Sequence, residues 1–289
     1  MLSISFCEMF NMKKATLIKD IKNLMTANFI LAGFITTVFI FFIDYQKNIS
    51  NSSALFSDWR LYIGICAEII GVWLTRKNYE TNGDNITAIS FALFLSLVIV
   101  PIFSFLFTDM FSFKNSISIK YQSVWEFLGF ITLSLILVIA FFIDKLKNKI
   151  NNIGLLLGLP IALSTSMFFS SKIMQIYPGV LYYGLVGFSL LMFFITIAIK
   201  NKEFNNYHRN NIKDSIKVSL VSVLIMPLNL IAIKLLAVEF VTLLKRVSQI
   251  INAIIFDKIY KNNNNLCLKD KIVVALICLL GFSLYYFRG

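Results

Sequence analysis

A chain of 289 residues that is 58% hydrophobic and 15% charged, with a mean hydropathy of +0.77, is no ordinary water-soluble domain. Its apolar runs of about 20 residues fit the bilayer-spanning helix, and the alternating short segments of a membrane barrel are missing from the pattern. The formal net charge of +12 does not point to nucleic acid, because the cations fall between apolar runs, where they report orientation and contact with anionic lipid.

Residues 1–23 form a basic amphipathic N-terminal segment carrying Lys13, Lys14, Lys19 and Lys22, too short in either part to span. The first predicted span, 24–43, exceeds a signal-peptide core and has no small-residue cleavage site after it, so it reads as a retained helix. A polar loop from Asp44 to Asp58 leads to the second, 59–75, framed by Trp59, Trp73, Arg76 and Lys77 in the manner of an interfacial belt. The third, 86–107, contains Pro101, and the fourth, 123–143, opens at Trp125 and ends in a Lys-rich run. The fifth, 153–175, has Pro160 and a centre rich in Ser and Thr; the sixth, 179–199, follows Tyr177-Pro178-Gly179. After a basic polar loop at 200–214 come a seventh at 216–234, an eighth at 237–256 and a ninth at 271–287. The expected fold is an all-α, polytopic helical bundle of about nine transmembrane helices.

The chain also repeats itself. Leu31-Ala32-Gly33-Phe34 in the first span, with Phe39 five residues on, matches Leu185-Val186-Gly187-Phe188 and Phe193 in the sixth. Asp109 stands before the fourth span much as Asp257 stands before the ninth. Spans one to four therefore pair with spans six to nine, giving a first repeat of four helices at 24–144 and a second of five at 145–289.

In the eighth and ninth spans, Leu244, Lys245, Arg246 and Ser248 precede a turn at Asp257 and Lys258, then a helix with Gly281 near its centre. This pair resembles the C-terminal helices of the drug/metabolite transporter superfamily, EamA type, although that family usually has Glu where this chain has Asp257. The resemblance implies two inverted repeats and a small-molecule substrate, over nearly the full length less the family's first helix. The stub at Phe6–Asn11 matches the end of that helix, in a natural nine-helix variant or in a chain whose start is lost. The corresponding setting is a bacterial cytoplasmic membrane.

Orientation is read in two conflicting ways. Eighteen of the 27 cations fall on one side of nine spans and seven, Lys172 among them, on the other, with Lys245 and Arg246 inside, which places the N-terminus in the cytoplasm and the C-terminus outside. The family comparison places the C-terminus inside.

Candidate site residues are the polar groups at bilayer depth. Gly64, Glu68 and Gly71 share one face of the second span, so small residues flank an acid that points into the bundle. Glu68 suits proton coupling or contact with a substrate amine; equally, it is a neutral acid stapling two helices. Lys245, Gln249 and Asn252 share a face of the eighth span, with Glu239, Thr242 and Arg246 beside them. Adjacent mid-helix cations snorkel poorly and suit a wet cavity, whereas the same groups can also serve as interhelical hydrogen bonds. Asn229 follows Pro227, where a proline-freed carbonyl can coordinate substrate or merely mark a kink. Glu68 is expected to approach Lys245 and Arg246, since opposite charges at the midplane offset each other's desolvation.

No phosphate loop, nucleophile–base pair or metal spacing occurs, and neither cofactor nor metal is expected. Cys7, Cys66, Cys267 and Cys278 lack ligand spacing, two of them fall inside predicted spans, and His208 stands alone in a polar loop. The leading expectation is a secondary transporter of a small metabolite or drug-like solute, working by alternating access in the lipid bilayer, alone or as a homodimer. The alternatives are an intramembrane transferase or lipid-modifying enzyme, and a non-transporting membrane subunit.

Overall fold

In the computed structural model, residues 30–38, 52–82, 95–110 and 152–201 are described, with positions 232, 238, 241 and 242. They are helical or lie in turns between helices, and no strand occurs among the described residues. We number the helical segments α1 (30–38), α2 (52–56), α3 (Trp59–Asn82), α4 (Ser96–Met110), α5 (Ile153–Ile176) and α6 (Gly179–Lys200).

Asp58 starts α3: its Oδ1 accepts from the Arg60 amide at 3.0 Å, and its carbonyl accepts from Leu61 at 3.0 Å. Asn152 does the same for α5, its side chain accepting from the Leu155 amide at 3.1 Å. At the other end of α5 the Tyr177 amide returns to the Ile173 carbonyl at 2.8 Å. Pro178 then supplies a fixed φ for the turn, and Leu181 bonds back to its carbonyl to begin α6. Lys200 sits in the last turn of α6, where a cation complements the helix dipole.

The main packing is between α3 and α5, which run antiparallel. Gly64 faces Phe169, Glu68 meets Ser166, Gly71 faces Leu163, Leu74 lies against Gly158, and Asn78 reaches the carbonyl of Leu155. Residue numbers rise along α3 as they fall along α5. The α3 positions recur at intervals of four, three, three and four, as a helix seam requires. Asn78 Nδ2 closes this seam with bonds of 3.0 Å to the Leu74 carbonyl and 2.8 Å to the Leu155 carbonyl.

Around the seam the buried side chains Leu61, Val72, Ile173, Tyr182, Val186, Leu190, Phe194 and Val241 form one cluster. The opposite face of α5 packs Phe168 against Phe103 and Phe107 of α4. Large apolar side chains such as Phe34, Ile70, Ile161, Phe188 and Met192 instead point outward. Two helices, Ile153–Ile176 and Leu181–Lys200, have the length and apolar composition to cross a membrane.

The expected second, third, fifth and sixth spans thus correspond to α3, α4, α5 and α6. The fifth and sixth match to within a residue or so at each end. The second differs: α3 continues to Asn82 rather than stopping near 75. Arg76 and Lys77, expected as interfacial loop cations, are therefore helical, and both donate to Glu80 one turn on, at 3.0 and 2.8 Å. This i,i+4 and i,i+3 pairing lets the helix run on past its apolar stretch. Helix α2 occupies part of the expected loop 44–58. The fourth, seventh and ninth spans lie outside the described residues, apart from Ala232.

Candidate functional site

Glu68 stands near the middle of α3, half-buried, with a glycine one turn to either side. A Cβ on Gly64 would stand 2.8 Å from the Tyr182 hydroxyl, and one on Gly71 would stand 2.6 Å from Leu163 Cδ2. The two glycines let α5 and α6 come close enough for short hydroxyl side chains to reach the α3 face. Ser166 of α5 donates its hydroxyl to Glu68 Oε2. One turn further along α5, Ser170 Oγ and Tyr182 Oη share a hydrogen bond of 2.7 Å that ties α5 to α6.

The result is a polar seam inside a three-helix contact: one carboxyl on α3, two hydroxyls on α5 and a phenol on α6. Ser166, Ser170 and Tyr182 are all buried. Such a set can hold a proton, or exchange the Ser166 hydroxyl for a polar group on a solute. No cluster of His, Cys, Asp and Glu suited to a metal occurs among the described residues.

Asn229, Lys245, Arg246, Gln249 and Asn252 lie outside the described residues, and so does the expected approach of Glu68 to Lys245 and Arg246. Three positions near the start of the eighth span are described. Val238 and Val241 are buried, and Thr242 donates to the Val238 carbonyl at 2.7 Å, so its hydroxyl is satisfied within its own helix.

Lys172 is a correction to the sequence reading. Counted there with the outer cations, it lies inside α5, 1% exposed, with Nζ 5.3 Å from the centroid of the Phe168 ring. The span limits 153–175 already enclosed it, but the count treated any cation near a span's end as belonging to the loop. Ser166 and Ser170 were signalled only as a Ser/Thr-rich centre of the fifth span. Nothing in the local pattern distinguished Tyr182 from other membrane tyrosines.

Two further charged groups flank the seam outside the apolar stretch. Asp58 takes bonds from Arg60 through Nε at 2.7 Å and through Nη2. Burial raises its carboxyl, but the side-chain and backbone bonds from Arg60 outweigh that and hold it below the ordinary value. Glu80 behaves alike: burial raises it, and the bonds from Lys77 and Arg76 together bring it lower. The Tyr177 phenol, raised by burial and by the Asp58 charge, donates to the Ala54 carbonyl at 3.3 Å and ties α2 to the α5–α6 turn. No protein-family model matches this chain, and a search of curated proteins finds no match to it.

Proposed function

We propose that this chain is a multi-pass membrane carrier of a small solute, of the EamA-like two-repeat kind, in which Glu68 couples transport to a proton or to a solute cation. The observation that carries the reading is the part-buried bond from Ser166 to Glu68, within a seam that also holds the buried Ser170 and Tyr182. An ionisable group at bilayer depth is costly unless it serves a site, and here its partner is a neutral hydroxyl that can be exchanged. Loss or gain of a proton at Glu68 changes what Ser166 can donate to, which links ionisation to the fit between α3 and α5.

The antiparallel run of α3 and α5 adds support. Two spanning helices that run in opposite directions require an even number of crossings between them, which the expected third and fourth spans supply.

The test is uptake of labelled solutes by the full chain in liposomes, with and without an imposed pH gradient. Glu68→Gln should abolish uptake or its dependence on the gradient while membrane insertion stays intact. Ser166→Ala should alter that dependence less severely. Unchanged gradient-driven uptake in both variants would remove Glu68 from the mechanism. Absence of uptake by the unaltered chain, with every solute class tried, would favour the non-transporting subunit.

A further inference from the structure

Helix α5 carries a second polar line on the face turned away from Glu68. Ser164, Phe168 and Lys172 follow one another at intervals of four, and all three are buried, at 0%, 0% and 1% exposure. They face α4: Phe168 packs on Phe103 and Phe107 at 6.0 and 6.3 Å between ring centroids. Ser96 and Ser104 of α4 are also buried.

The direction taken by Lys172 is informative. It lies about one turn from the C-terminal end of α5, so a snorkelling lysine would extend toward the Tyr177 turn. Its ammonium instead lies over Phe168, one turn deeper in the helix. Beyond Phe168 comes Ser164, whose hydroxyl has no hydrogen-bond partner among the described residues. Several other described hydroxyls are satisfied within their own helices. The hydroxyls of Thr36, Thr37, Thr75, Thr165 and Thr196 each donate to the carbonyl four residues earlier. For Ser164 that carbonyl belongs to Pro160, and the bond is not made. A buried hydroxyl left open is destabilising unless something else fills it.

We propose that the α4–α5 seam is the binding site for an organic monocarboxylate. The carboxylate would be held by the Lys172 ammonium and the Ser164 hydroxyl, and the apolar body by Phe103, Phe107 and Phe168. The proposal rests on the carrier reading for its role in transport but not for binding itself. The line is closed in this state, so the ligand enters when α4 and α5 part. Glu68, on the opposite face of α5, is left for coupling. The ligand's charge and apolar body are shared with the headgroup and chains of an anionic lipid, and the experiment separates the two.

The full chain is placed in phosphatidylcholine nanodiscs, and its thermal unfolding is followed with acetate, benzoate, octanoate, inorganic phosphate or benzylamine present. Benzoate and octanoate should raise the unfolding temperature, acetate and phosphate should do so weakly, and benzylamine not at all. Lys172→Gln should weaken benzoate binding at least about tenfold and Ser164→Ala by a few-fold, in line with loss of a charged and a neutral hydrogen bond. Lys172→Arg should retain most of it. If Lys172→Gln does not fold, Ser164→Ala, which empties a site already short of a partner, carries the test. No shift with either carboxylate, an equal shift with benzylamine, or unaltered benzoate affinity in Ser164→Ala would overturn the proposal. So would a response to added phosphatidylglycerol with none to benzoate, which would assign the seam to lipid. Benzoate binding kept in Glu68→Gln while uptake is lost would separate this site from the coupling group. Benzoate binding without any uptake would leave the site standing and remove the carrier reading.

Discussion

Gly33 and Gly187 bring two helices into backbone contact. A Cβ on Gly33 would stand 2.6 Å from the Gly187 carbonyl oxygen, and one on Gly187 would stand 2.7 Å from Thr36 Cβ. These are the matched glycines of the internal repeat, and their neighbours match in environment as well. Ala32 and Val186 are buried, while Phe34 and Phe188 are exposed at 55% and 48%. Equivalent residues that touch one another in equivalent surroundings are what a two-fold relation between halves produces.

The crossing makes a prediction about substitution. Gly33→Ala or Gly187→Ala places a methyl against backbone and Cβ atoms that cannot rotate away, so each should cost about 1–3 kcal/mol. Gly71→Ala meets the tip of Leu163 at 2.6 Å, a flexible side chain, and should cost less. Thermal unfolding in detergent would measure the difference. Equal losses at all three glycines would count against backbone contact as the reason for Gly33 and Gly187.

Asn78 offers a second comparison. It is fully buried and holds the Leu155 carbonyl across the α3–α5 seam. Asn78→Leu removes both bonds while keeping most of the volume, and leaves a buried carbonyl on α5 without that donor. A loss of about 1–3 kcal/mol is expected. The same change at Thr81, whose hydroxyl donates to the Lys77 carbonyl at an exposed position, should cost much less. Parallel unfolding curves for the two variants would show that the interhelical bond contributes nothing.

How far the sequence could be read follows from the kind of signal each feature leaves. The junction of α5 and α6 was legible because Tyr177, Pro178 and Gly179 mark it by composition. The end of α3 was not, because Arg76, Lys77 and Glu80 resemble a polar loop until their pairing on one helical face is known. Glu68 was singled out by its flanking glycines, yet its partner Ser166 lies 98 residues away, and no local pattern joins them. Lys172 shows a different failure. Its residue type and place near a span's end suggested a loop cation, whereas its rotamer points inward over Phe168.

Acid should weaken the ends of α3. Asp58 and Glu80 both sit below their ordinary values of 3.8 and 4.5 in the folded chain. A carboxyl lowered by folding stabilises fully above its unfolded pKa, and that contribution is lost as pH falls through the folded one. Unfolding temperature should therefore be flat with respect to these groups above about pH 5 and should decline below about pH 4. Asp58→Asn keeps a capping side chain but removes the charge paired with Arg60, and Glu80→Gln removes the charge shared by Arg76 and Lys77. The double variant should show a shallower acid decline. An identical decline would place the acid sensitivity elsewhere.

Topology gives the last prediction. With Lys172 removed from the loops, the cation balance becomes 18 against six, a stronger bias than the sequence count alone. That bias places the N-terminus, the Lys-rich run at 145–149 and the loop at 200–214 in the cytoplasm. The antiparallel packing of α3 on α5 fits the same path: α3 descends toward the cytoplasm at Arg76 and Lys77, and α5 ascends from Asn152. The turn at Tyr177 and the start of α3 at Asp58 then share the outer side, as the tie between Tyr177 and Ala54 requires. Reporter fusions after Lys149 and within 200–214 should therefore read as cytoplasmic, and a fusion at Gly289 should read as external. A fusion at Tyr177 that reads as cytoplasmic would reverse the whole assignment and favour the family's orientation. A cytoplasmic Gly289 with an external Tyr177 would instead require a different number of crossings after α6.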